Sequence, residues 1–495
     1  MTKADLGLVG LAVMGQNLVL NISDHGFSVA VHNRSPGPIR DFLSGPAADR
    51  AGTADRAGQL GGKGRITGSE TPEEFVASLS CPRKIILLVK AGSAVDDTIA
   101  RLLPLLEKGD LIIDGGNSFW SDTERRAAAL AAKGIRFIGS GVSGGEEGAR
   151  SGPSLMPGGD LEGWPLVRDI FAAISAKTPG GEACCAWMGP GGAGHYVKMV
   201  HNGIEYGDME IIAETWQIMR DLAGLDADAM AAAFAEWNRG ELESYLIEIT
   251  SKILAVKDAD GSPLVDKILD AAGQKGTGKW TSQEALDAGI PLTLVTEAVY
   301  ARALSSLIDE RRAASAILSG PRGVFGAKVS VEDLRKALLA AKIVSYAQGF
   351  MLLRETSGIR LWNLDFGSIA MTWRGGCIIR SAFLGRIKEA FDRKPDLPSL
   401  MVDAYFAKVL GDCQQSLRGV VAAAALAGVP VPALSAALAF YDGYRSARLP
   451  ANLIQAQRDW FGAHTYERVD RPRGEFFHTD WIGSGAAAVS GTYNA

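Results

Sequence analysis

The fold is decided by Leu6-Gly-Leu-Val-Gly-Leu-Ala-Val-Met-Gly15, a short apolar run that leads into Gly10-x-Ala12-x-x-Gly15. An apolar strand that ends in such a turn and continues as a helix is typical of a dinucleotide-binding βα unit. The first glycine makes the tight turn, the last lets the helix pack on the strand, and a pyrophosphate would lie against the helix N-terminus. Alanine at the middle position departs from the strict motif, so the prediction depends on the strand before it and the helix after it.

Four further apolar runs alternate with helix-like segments and extend this pattern: Phe27–His32, Lys84–Val89, Asp110–Asp114 and Ile135–Gly139. The alternation predicts a parallel sheet with crossover helices. After Gly194 helical periodicity takes over, and no strand is predicted for roughly 250 residues.

We therefore predict an α/β Rossmann-type N-terminal domain (1–190), a large all-α domain (191–447) and a C-terminal tail (448–495). The tail is too small and polar to form its own core, so we expect it to be disordered or packed on something else, such as a partner subunit. Within the all-α region, Lys198-Met-Val is followed by Trp237 and Ser244, and Lys342-Ile-Val is followed by Trp373 and Ser381. An internal duplication and a chance resemblance both remain open.

Composition excludes several classes of function. The chain has 495 residues, 51 Lys and Arg against 56 Asp and Glu, and a formal charge of −5. This balance argues against a dedicated nucleic-acid or membrane-surface protein. The five cysteines are odd in number and form no C-x-x-C, so we predict neither a disulfide framework nor a metal site, and a reducing, cytoplasmic location.

We see no signal peptide, and the longest uncharged run, residues 419–441, is interrupted by Gly428, Pro430 and Pro432. It is rich in alanine, so we predict two buried helical pieces around a break and a soluble protein.

The second predicted strand ends in Asn33-Arg34-Ser35. An NAD-binding version would place Asp or Glu there to bind the ribose 2′-hydroxyl. A carboxylate would repel a 2′-phosphate, whereas an arginine and a hydroxyl would hold one, so the sequence predicts NADP. The alternative is an arginine that simply lies in an exposed loop.

Residues 273–279, Gly-Gln-Lys-Gly-Thr-Gly-Lys, have the spacing of a P-loop. The next residue is Trp280 where a P-loop needs Ser or Thr, and the preceding 264–272 looks helical, so we reject an NTPase. The loop could still bind a phosphate on a substrate.

A second motif lies at 195–210, His-Tyr-Val-Lys-Met-Val-His-Asn-Gly-Ile-Glu-Tyr-Gly-Asp-Met-Glu. At 3.6 residues per turn, Lys198, Asn202 and Glu205 share one helix face, flanked by His201 and Tyr206. An exposed Lys–Glu face is the simpler interpretation. The glycine-rich 189–194 and the apolar residues on the other sides of the helix favour a buried site instead.

Long strings of the sequence resemble the decarboxylating 6-phosphogluconate dehydrogenases nearly from end to end. The strings begin at Gly10, Leu88, Ile113, Gly141, Lys198, Lys275, Trp373 and Gln457. Non-decarboxylating 3-hydroxyacid dehydrogenases share the glycine turn, Ser-Gly-Gly and the helix lysine, but would not be expected to carry the later strings.

The resemblance implies NADP-dependent oxidation of 6-phosphogluconate at C3 and loss of CO2 to give ribulose 5-phosphate, a step of the oxidative pentose phosphate pathway. Lys198 would be the general base and then the acid that polarises the ketone, and Glu205 the acid that protonates C1. Because a lysine is almost wholly protonated near pH 7, its base role requires desolvation or nearby positive charge.

The resemblance also assigns the binding residues. The expected cofactor-binding residues are Gly10, Leu11, Ala12, Val13, Met14, Gly15, Asn33, Arg34, Ser35, Val89, Lys90, Ala91 and Asn117. Asn117, Ser143, Gly144, Gly145, His201 and Asn202 would hold the substrate's carboxylate and hydroxyls, and Tyr206, Lys275, Arg302, Arg458 and His464 its phosphate. The family is homodimeric, its tail reaches into the other subunit, and it uses no metal.

Two other functions remain as alternatives: a non-decarboxylating 3-hydroxyacid dehydrogenase, and a catalytically silent NADP-responsive regulatory protein. The second would need a broken Lys198–Glu205 pair. Residues 36–69, rich in Pro, Gly and Ala, depart from the family pattern beside the predicted 2′-phosphate site.

Overall fold

The computed structural model describes residues 3–48, 63–321 and 329–483. It divides the chain into two compact units, residues 1–437 and residues 438–495. Each is described by itself.

Within the described part of the first unit, eight strands form one sheet. They are β1 (Leu6–Val9), β2 (Val29–His32), β3 (Ile66–Gly68), β4 (Lys84–Leu87), β5 (Leu111–Asp114), β6 (Arg136–Ser143), β7 (Ser154–Gly159) and β8 (Gly189–Pro190). The strand order is β3-β2-β1-β4-β5-β6-β7-β8. The first six strands are parallel, with Leu6 opposite Val29 and Gly7 opposite Ile85. This confirms the Rossmann-type fold.

The predicted strands are all parallel, and the sheet departs from this arrangement only beyond them, where β7 runs antiparallel to β6. Strands β3, β7 and β8 were not predicted. The segment Ser154-Leu-Met-Pro-Gly-Gly159 contains one proline and two glycines, a composition typical of turns, which explains the omission of β7. The predicted run Ile135–Gly139 is longer in the structure and continues to Ser143.

Among the described residues, seven helices pack around the sheet. They are α1 (Val13–Asp24), α2 (Gly37–Ser44), α3 (Pro72–Ala77), α4 (Ser93–Leu102), α5 (Trp120–Ala131), α6 (Gly145–Ser151) and α7 (Arg168–Ile174). Alternate residues of a strand enter different cores: Leu6 and Leu8 contribute to one hydrophobic cluster and Val9 to another. Both faces of the sheet are therefore covered, as its almost continuous apolar strands require.

Helices follow from residue 193 onward. They are α8 (Ala193–Asp221), α9 (Ala227–Trp237), α10 (Tyr245–Leu254), α11 (Thr277–Asp287), α12 (Thr293–Ser305), α13 (Ile308–Ile317), α14 (Val331–Arg360), α15 (Phe366–Thr372), α16 (Leu384–Arg393), α17 (Ala404–Ala427) and α18 (Pro432–Tyr444). The change from strands to helices falls where the sequence predicts it. The bounds of the predicted domains themselves stay a prediction.

Short 3-10 turns occur at Leu103–Leu105, Trp164–Leu166, Leu264–Lys267 and Leu400–Val402. The prediction that 264–272 looks helical holds only for the turn at Leu264–Lys267, because residues 271 and 272 have no regular structure. The segment is not a strand, so the P-loop stays rejected.

The uncharged run 419–441 breaks as predicted. Helix α17 ends at Gly428, whose φ of +73° is typical of a glycine that terminates a helix, and α18 starts at Pro432. The buried Glu214 of α8 accepts hydrogen bonds from the backbone N–H groups of Ala433 (2.7 Å) and Leu434 (2.8 Å). A carboxylate therefore caps α18, which suits the positive end of a helix dipole. Helix α14 could cross a membrane by length and composition alone, but 94% of its apolar window is buried within the protein.

The two sequence units that resemble each other also meet. Ser244 and Ser381 form an antiparallel bridge, flanked by a hydrogen bond of 3.0 Å from Tyr245 N to Arg380 O. Lys198 and Lys342 lie on the long helices α8 and α14, and both are buried. The internal duplication itself stays a prediction.

In the second unit, α19 (Ala451–Gly462) precedes a hairpin of β9 (Tyr466–Glu467) and β10 (Phe476–Phe477). Of the two alternatives for the tail, disorder is wrong for residues 451–477, and packing on a partner subunit stays a prediction. The buried Asp459 carboxylate accepts hydrogen bonds from the backbone N–H groups of Thr465 and Thr479 and from the Trp481 indole, at 2.8–3.0 Å. A buried carboxylate thus replaces an apolar core. The rest of the predicted tail, 484–495, lies outside the described residues.

Candidate active site

The turn between β1 and α1 has no room for side chains at its two outer glycines. Gly10 has φ +108°, and a Cβ there would lie 2.4 Å from the carbonyl oxygen of Leu88. A Cβ on Gly15 would lie 1.9 Å from the carbonyl oxygen of Gly10. Helix α1 starts immediately after Ala12. Its free N–H groups therefore begin at the predicted pyrophosphate position, and Val13 and Met14 form its first turn.

A cavity of about 450 Å³ opens beside this turn. The predicted residues that line it are Gly10, Leu11, Ala12, Asn33, Arg34, Ser35, Val89 and Lys90. The Asn33 side chain accepts a hydrogen bond from Leu11 N (3.2 Å) and donates one to Ser35 Oγ (3.3 Å), which ties the two loops together. The structure thus places eight of the predicted residues around one space, while Val13, Met14, Gly15, Ala91 and Asn117 are outside its lining.

The charges in this cavity fit a cofactor with a 2′-phosphate. Arg34, Lys90 and Arg101 bring three cations to the lining, against one carboxylate, Asp97. Sequence reasoning missed Arg101 and Thr98, which come from the end of α4. The sequence signal for Arg101 was weak, because an arginine in the last turn of a surface helix also complements the helix dipole. No Asp or Glu follows β2 at the position that would repel a 2′-phosphate.

The N-terminal half of α8 lies directly on the sheet. A Cβ on Gly194 would approach the carbonyl oxygens of Gly139 (2.3 Å) and Met156 (2.4 Å), and one on Gly141 would lie 2.4 Å from Lys198 Cβ. Glycine in both strand and helix thus allows a contact that any larger residue would prevent. The backbone of Lys198 is fixed against the carboxyl end of β6 as a result.

Lys198 stands at the centre of a buried polar cluster. Its Nζ donates a hydrogen bond to Asn202 Oδ1 (2.8 Å) and lies 3.4 Å from His201 Nδ1. The other ring nitrogen of His201 contacts Ser143 Oγ at 3.2 Å, and the edge of the ring packs against Trp373. Nδ1 of His201 also lies 3.9 Å from a carboxylate oxygen of Glu205. The structure therefore brings Lys198, Asn202, His201, Ser143 and Glu205 together.

Burial shifts the pKa values of these groups in opposite directions. Desolvation lowers the pKa of Lys198, although the charges of Glu205 and Cys377 act against it. Burial also lowers the pKa of His201 well below its ordinary value, helped by the charge of Lys198. For Glu205 burial raises the pKa, because it penalises the carboxylate, while Lys198 and Arg302 act in the other direction. A base that is easily neutral and an acid that is easily protonated thus lie on one helix face.

Asn117, Gly144 and Gly145 follow the carboxyl ends of strands β5 and β6. Asn117 is exposed between β5 and α5. Gly144 follows Ser143 with φ +113°, and a Cβ there would lie 2.5 Å from the carbonyl oxygen of Gly376. The edge of the sheet at which ligands bind in open α/β folds therefore carries these predicted substrate residues.

Further along α8, Tyr206 and Arg302 form a stacked pair. The guanidinium carbon of Arg302 lies 3.6 Å from the centre of the Tyr206 ring, and Nη1 donates to the carbonyl oxygen of Gly273 (3.3 Å). The exposed Lys275 follows in the loop before α11. A phosphate at this loop would meet a guanidinium whose orientation is already fixed.

Arg458 and His464 belong to the second unit, so their position relative to the cluster stays a prediction. Arg458 donates to Gln455 Oε1 at 3.0 Å. His464 lies between Ala463 and Thr465, which both have positive φ (+48° and +54°). Such strain at non-glycine residues is typical of functional loops.

Three buried features of the first unit were not predicted: the ion pair of Asp208 and Lys342, the thiol of Cys377, and Asp114 with Arg126. The weak repeat around Lys198 and Lys342 was a signal for the first. Groups of three or more His, Cys, Asp or Glu side chains that could hold a metal are not found among the described residues.

Comparison with known proteins gives matches over the whole chain. Residues 5–189 match the family model described as the NAD binding domain of 6-phosphogluconate dehydrogenase, and residues 194–481 match its C-terminal domain. Proteins named decarboxylating 6-phosphogluconate dehydrogenase are 56% identical to this chain in Mus musculus, over 100% of both chains, and in Haemophilus influenzae, over 99% of both. The solved 6-phosphogluconate dehydrogenase of Plasmodium falciparum, described as apo, with NADP+ and with 6-phosphogluconate, is 44% identical, with a TM-score of 0.90 over 96% of this chain and 100% of that one.

Proposed function

This chain belongs to the family of decarboxylating 6-phosphogluconate dehydrogenases, and we propose that Lys198 and Glu205 perform the proton transfers of its reaction. The activity is the NADP-dependent oxidative decarboxylation of 6-phosphogluconate, with ribulose 5-phosphate and CO2 as products. The observation that carries the two roles is the buried face of α8. On it a lysine and a glutamate have pKa values displaced towards their neutral forms.

Lys198 acts first as a base. As a neutral amine it takes the proton of the C3 hydroxyl, while the nicotinamide of bound NADP+ supplies the hydride acceptor. Asn202 and His201 hold Nζ in place through the contacts of 2.8 and 3.4 Å. The same ammonium group then donates a hydrogen bond to the C3 ketone, which draws electrons from the bond between C1 and C2 and lets CO2 leave.

Glu205 acts second, as an acid. Loss of CO2 leaves an enediol, and the former C2, which becomes C1 of the product, must gain a proton. A buried carboxylic acid keeps its proton more readily until that step, in line with the raised pKa of Glu205. The side chain is 22% exposed, so solvent can return the proton after each turnover.

The glycine turn at Gly10 and Gly15 would hold the cofactor's pyrophosphate, and Arg34 with Ser35 its 2′-phosphate. Two observations support this assignment: the absence of side chains at Gly10 and Gly15 leaves space at the turn, and the 450 Å³ cavity has a cationic lining. The substrate phosphate is assigned to Tyr206, Lys275 and Arg302, with Arg458 and His464 added from a second subunit.

We further propose a homodimer in which the C-terminal tails are exchanged. Helix α19 supports this, because Leu453, Ile454, Trp460 and Phe461 repeat at a spacing of seven and are 58–72% exposed. A contiguous group of large exposed apolar side chains usually marks an interface. Light scattering coupled to gel filtration should give about twice the chain's mass of 52.3 kDa. A monomer that retains full activity would contradict tail exchange.

A cytoplasmic location is also proposed. All five cysteines are unpaired, and three of them are buried. Free thiols persist in reducing compartments.

The function is tested by comparing the amounts of NADPH and CO2 that the reaction forms. Purified protein with 6-phosphogluconate and NADP+ should form NADPH and CO2 in equal amounts, and NADPH without CO2 would instead favour a non-decarboxylating dehydrogenase. Lys198→Met should abolish turnover and leave substrate binding largely intact. The matched control is Lys408→Met, an exposed lysine paired with Asp412 on α17, which should keep the parent rate.

A further inference from the structure

A buried ion pair lies next to the proposed acid, and the proposed roles do not use it. Lys342 of α14 contacts Asp208 of α8, and their side chains are only 2% and 1% exposed. The hydroxyl of Tyr346 reaches the same carboxylate oxygen at 3.5 Å and donates to the carbonyl oxygen of Ile379 at 2.9 Å. The other oxygen, Oδ1 of Asp208, is buried and has no hydrogen-bond partner within the described residues.

Stability alone explains this arrangement poorly. Taking two charges out of water costs about as much as their attraction returns, and apolar replacements of buried pairs are often neutral or stabilising. An unpartnered carboxylate oxygen adds a further cost. A buried pair with a free oxygen beside an active site therefore calls for a functional explanation.

The position of Asp208 supplies one. It follows Glu205 by three residues on α8, so the two carboxyl groups are neighbours on one helix face, with Cβ atoms about 5–6 Å apart. Lys342 approaches Asp208 from α14, and its ammonium also lies 5.4 Å from the Tyr346 ring and 5.8 Å from the Phe383 ring. The turn of α8 that carries Glu205 is thus attached to α14 by a fixed contact.

The other charges around Glu205 do not favour its acid form. Lys198 and His201 approach from α8 and Arg302 from α12, and each is, or can become, a cation. Tyr346 approaches from α14 and stays neutral, because burial raises its pKa well above its ordinary value. Asp208 is the one group among these that opposes ionisation of Glu205 by its charge.

We propose that Asp208, held by Lys342, is a positioning residue for Glu205: it fixes the helical turn that carries the glutamate and places beside it a negative charge that keeps it a proton donor. Lys342 has two effects. It opposes the effect of burial, which raises the pKa of Asp208, and it partly offsets the charge that Glu205 senses. The inference rests on the proposed function, because it assumes that Glu205 must be protonated for turnover.

The experiment is a pH profile of kcat for the full-length protein and three variants. In Asp208→Asn, the limb at which kcat falls with rising pH should move down by about one pH unit, since a unit charge at this spacing is worth at least that at an effective dielectric constant near 20. In the double variant Asp208→Asn/Lys342→Gln the shift should have the same sign and be smaller. Asp208→Glu should restore most of the parent profile.

A second readout does not depend on turnover. The infrared carbonyl band of protonated Glu205, identified by its loss in Glu205→Gln, should disappear at lower pH in Asp208→Asn than in the parent protein. This measurement remains available if a variant is too slow for kinetics.

The control is Asp110→Asn. Asp110 forms a comparable buried pair with Arg83 (2.9 Å, side chains 3% and 11% exposed) that belongs to the sheet. The variant Asp110→Asn should lower the melting temperature and leave unchanged the pH at which kcat falls. If Asp208→Asn behaves in the same way, with its limb and infrared band unmoved, the pair is only structural and the inference is overturned. An inactive parent protein would refute the proposed function instead.

Discussion

Replacing Gly141 by alanine tests whether the position of Lys198 is set by the glycine contact under α8. The added Cβ would lie 2.4 Å from Lys198 Cβ and 2.9 Å from Lys198 Cγ. Carbon atoms pack best at about 3.5–4.0 Å, so the two backbones must separate by about 1 Å or more. The near atom is a Cβ attached to the helix backbone, so a rotamer change cannot relieve the overlap.

A displacement of about 1 Å at a reacting group can cost roughly a hundredfold in rate. This corresponds to about 2.7 kcal/mol of transition-state stabilisation. Because the proposed role of Lys198 is chemical, the loss should fall on kcat at saturating substrate and NADP+. The dissociation constant of 6-phosphogluconate, measured by calorimetry, should change much less.

The matched control is Gly411→Ala, in the middle of α17, where an added Cβ meets nothing within 4 Å. Alanine there should leave kcat unchanged and raise stability by about 0.5–1 kcal/mol. A kcat for Gly141→Ala within twofold of the parent, with an unchanged melting temperature, would refute the argument that this contact positions the lysine.

Three further changes have expected outcomes. Arg34→Asp should raise the KM for NADP+ far more than that for NAD+, measured by steady-state kinetics, because the new carboxylate repels a 2′-phosphate. The plot of kcat against pH should be a bell: activity falls at low pH as Lys198, whose pKa is lowered, gains a proton, and at high pH as Glu205, whose pKa is raised, loses its own. Asp459→Asn should destabilise the protein by about 1–3 kcal/mol in a denaturant titration, because an amide oxygen accepts fewer bonds than a carboxylate. It should also raise the KM for 6-phosphogluconate by loosening the loop that carries His464.

Each of the two variants has a control. Arg168→Asp changes an exposed arginine, paired with Asp169, that does not line the cofactor cavity, so it should affect neither cofactor. Equal losses with both cofactors in Arg34→Asp would remove the assignment of the 2′-phosphate. Asp470→Asn breaks an exposed pair with Arg468 and should cost little. An Asp459 variant as stable as the parent would show that the carboxylate does not organise the second unit.

The parts of the fold that the sequence predicts are those decided by local chemistry. The turn at Gly10 and Gly15 follows from backbone sterics within ten residues, and the break at Gly428 from the loss of helix propensity at one glycine and two prolines. Strand β7 could not be found in this way, because its glycines are required by close contacts with residues far away in the sequence. A Cβ on Gly158 would lie 2.5 Å from Gly194 N, a contact that no local pattern reveals.

The same distinction holds for the site. Lys198, Asn202 and Glu205 were placed on one face by helical period alone. The contact of Lys342 with Asp208 needs α14 to pack on α8, and the cationic lining at Arg101 needs α4 to face β2. Sequence periodicity gives the face of a helix but not what packs against it. For this reason the polar face of α8 could be predicted from the sequence, whereas Lys342 and Arg101, which approach from other helices, could not.

One physical cause produces both halves of the proposed chemistry. Desolvation favours the neutral form of any ionisable group, so it lowers the pKa of a lysine and raises that of a glutamate. Burying one face of α8 thus supplies a base and an acid together, with no separate device for either. The direct attraction between the two charges acts against both shifts. The pair therefore functions only if the two groups stay out of direct contact. Nδ1 of His201 contacts both instead, at 3.4 Å from Lys198 Nζ and 3.9 Å from a Glu205 carboxylate oxygen. Contacts at each end, of Gly141 with Lys198 and of Lys342 with Asp208, fix the helical turns that carry the two groups. A variant that brings the acid closer to Lys198, such as one with the acid at position 202 instead of 205, should form an ion pair between the two groups. It should then lose both the base function and the acid function.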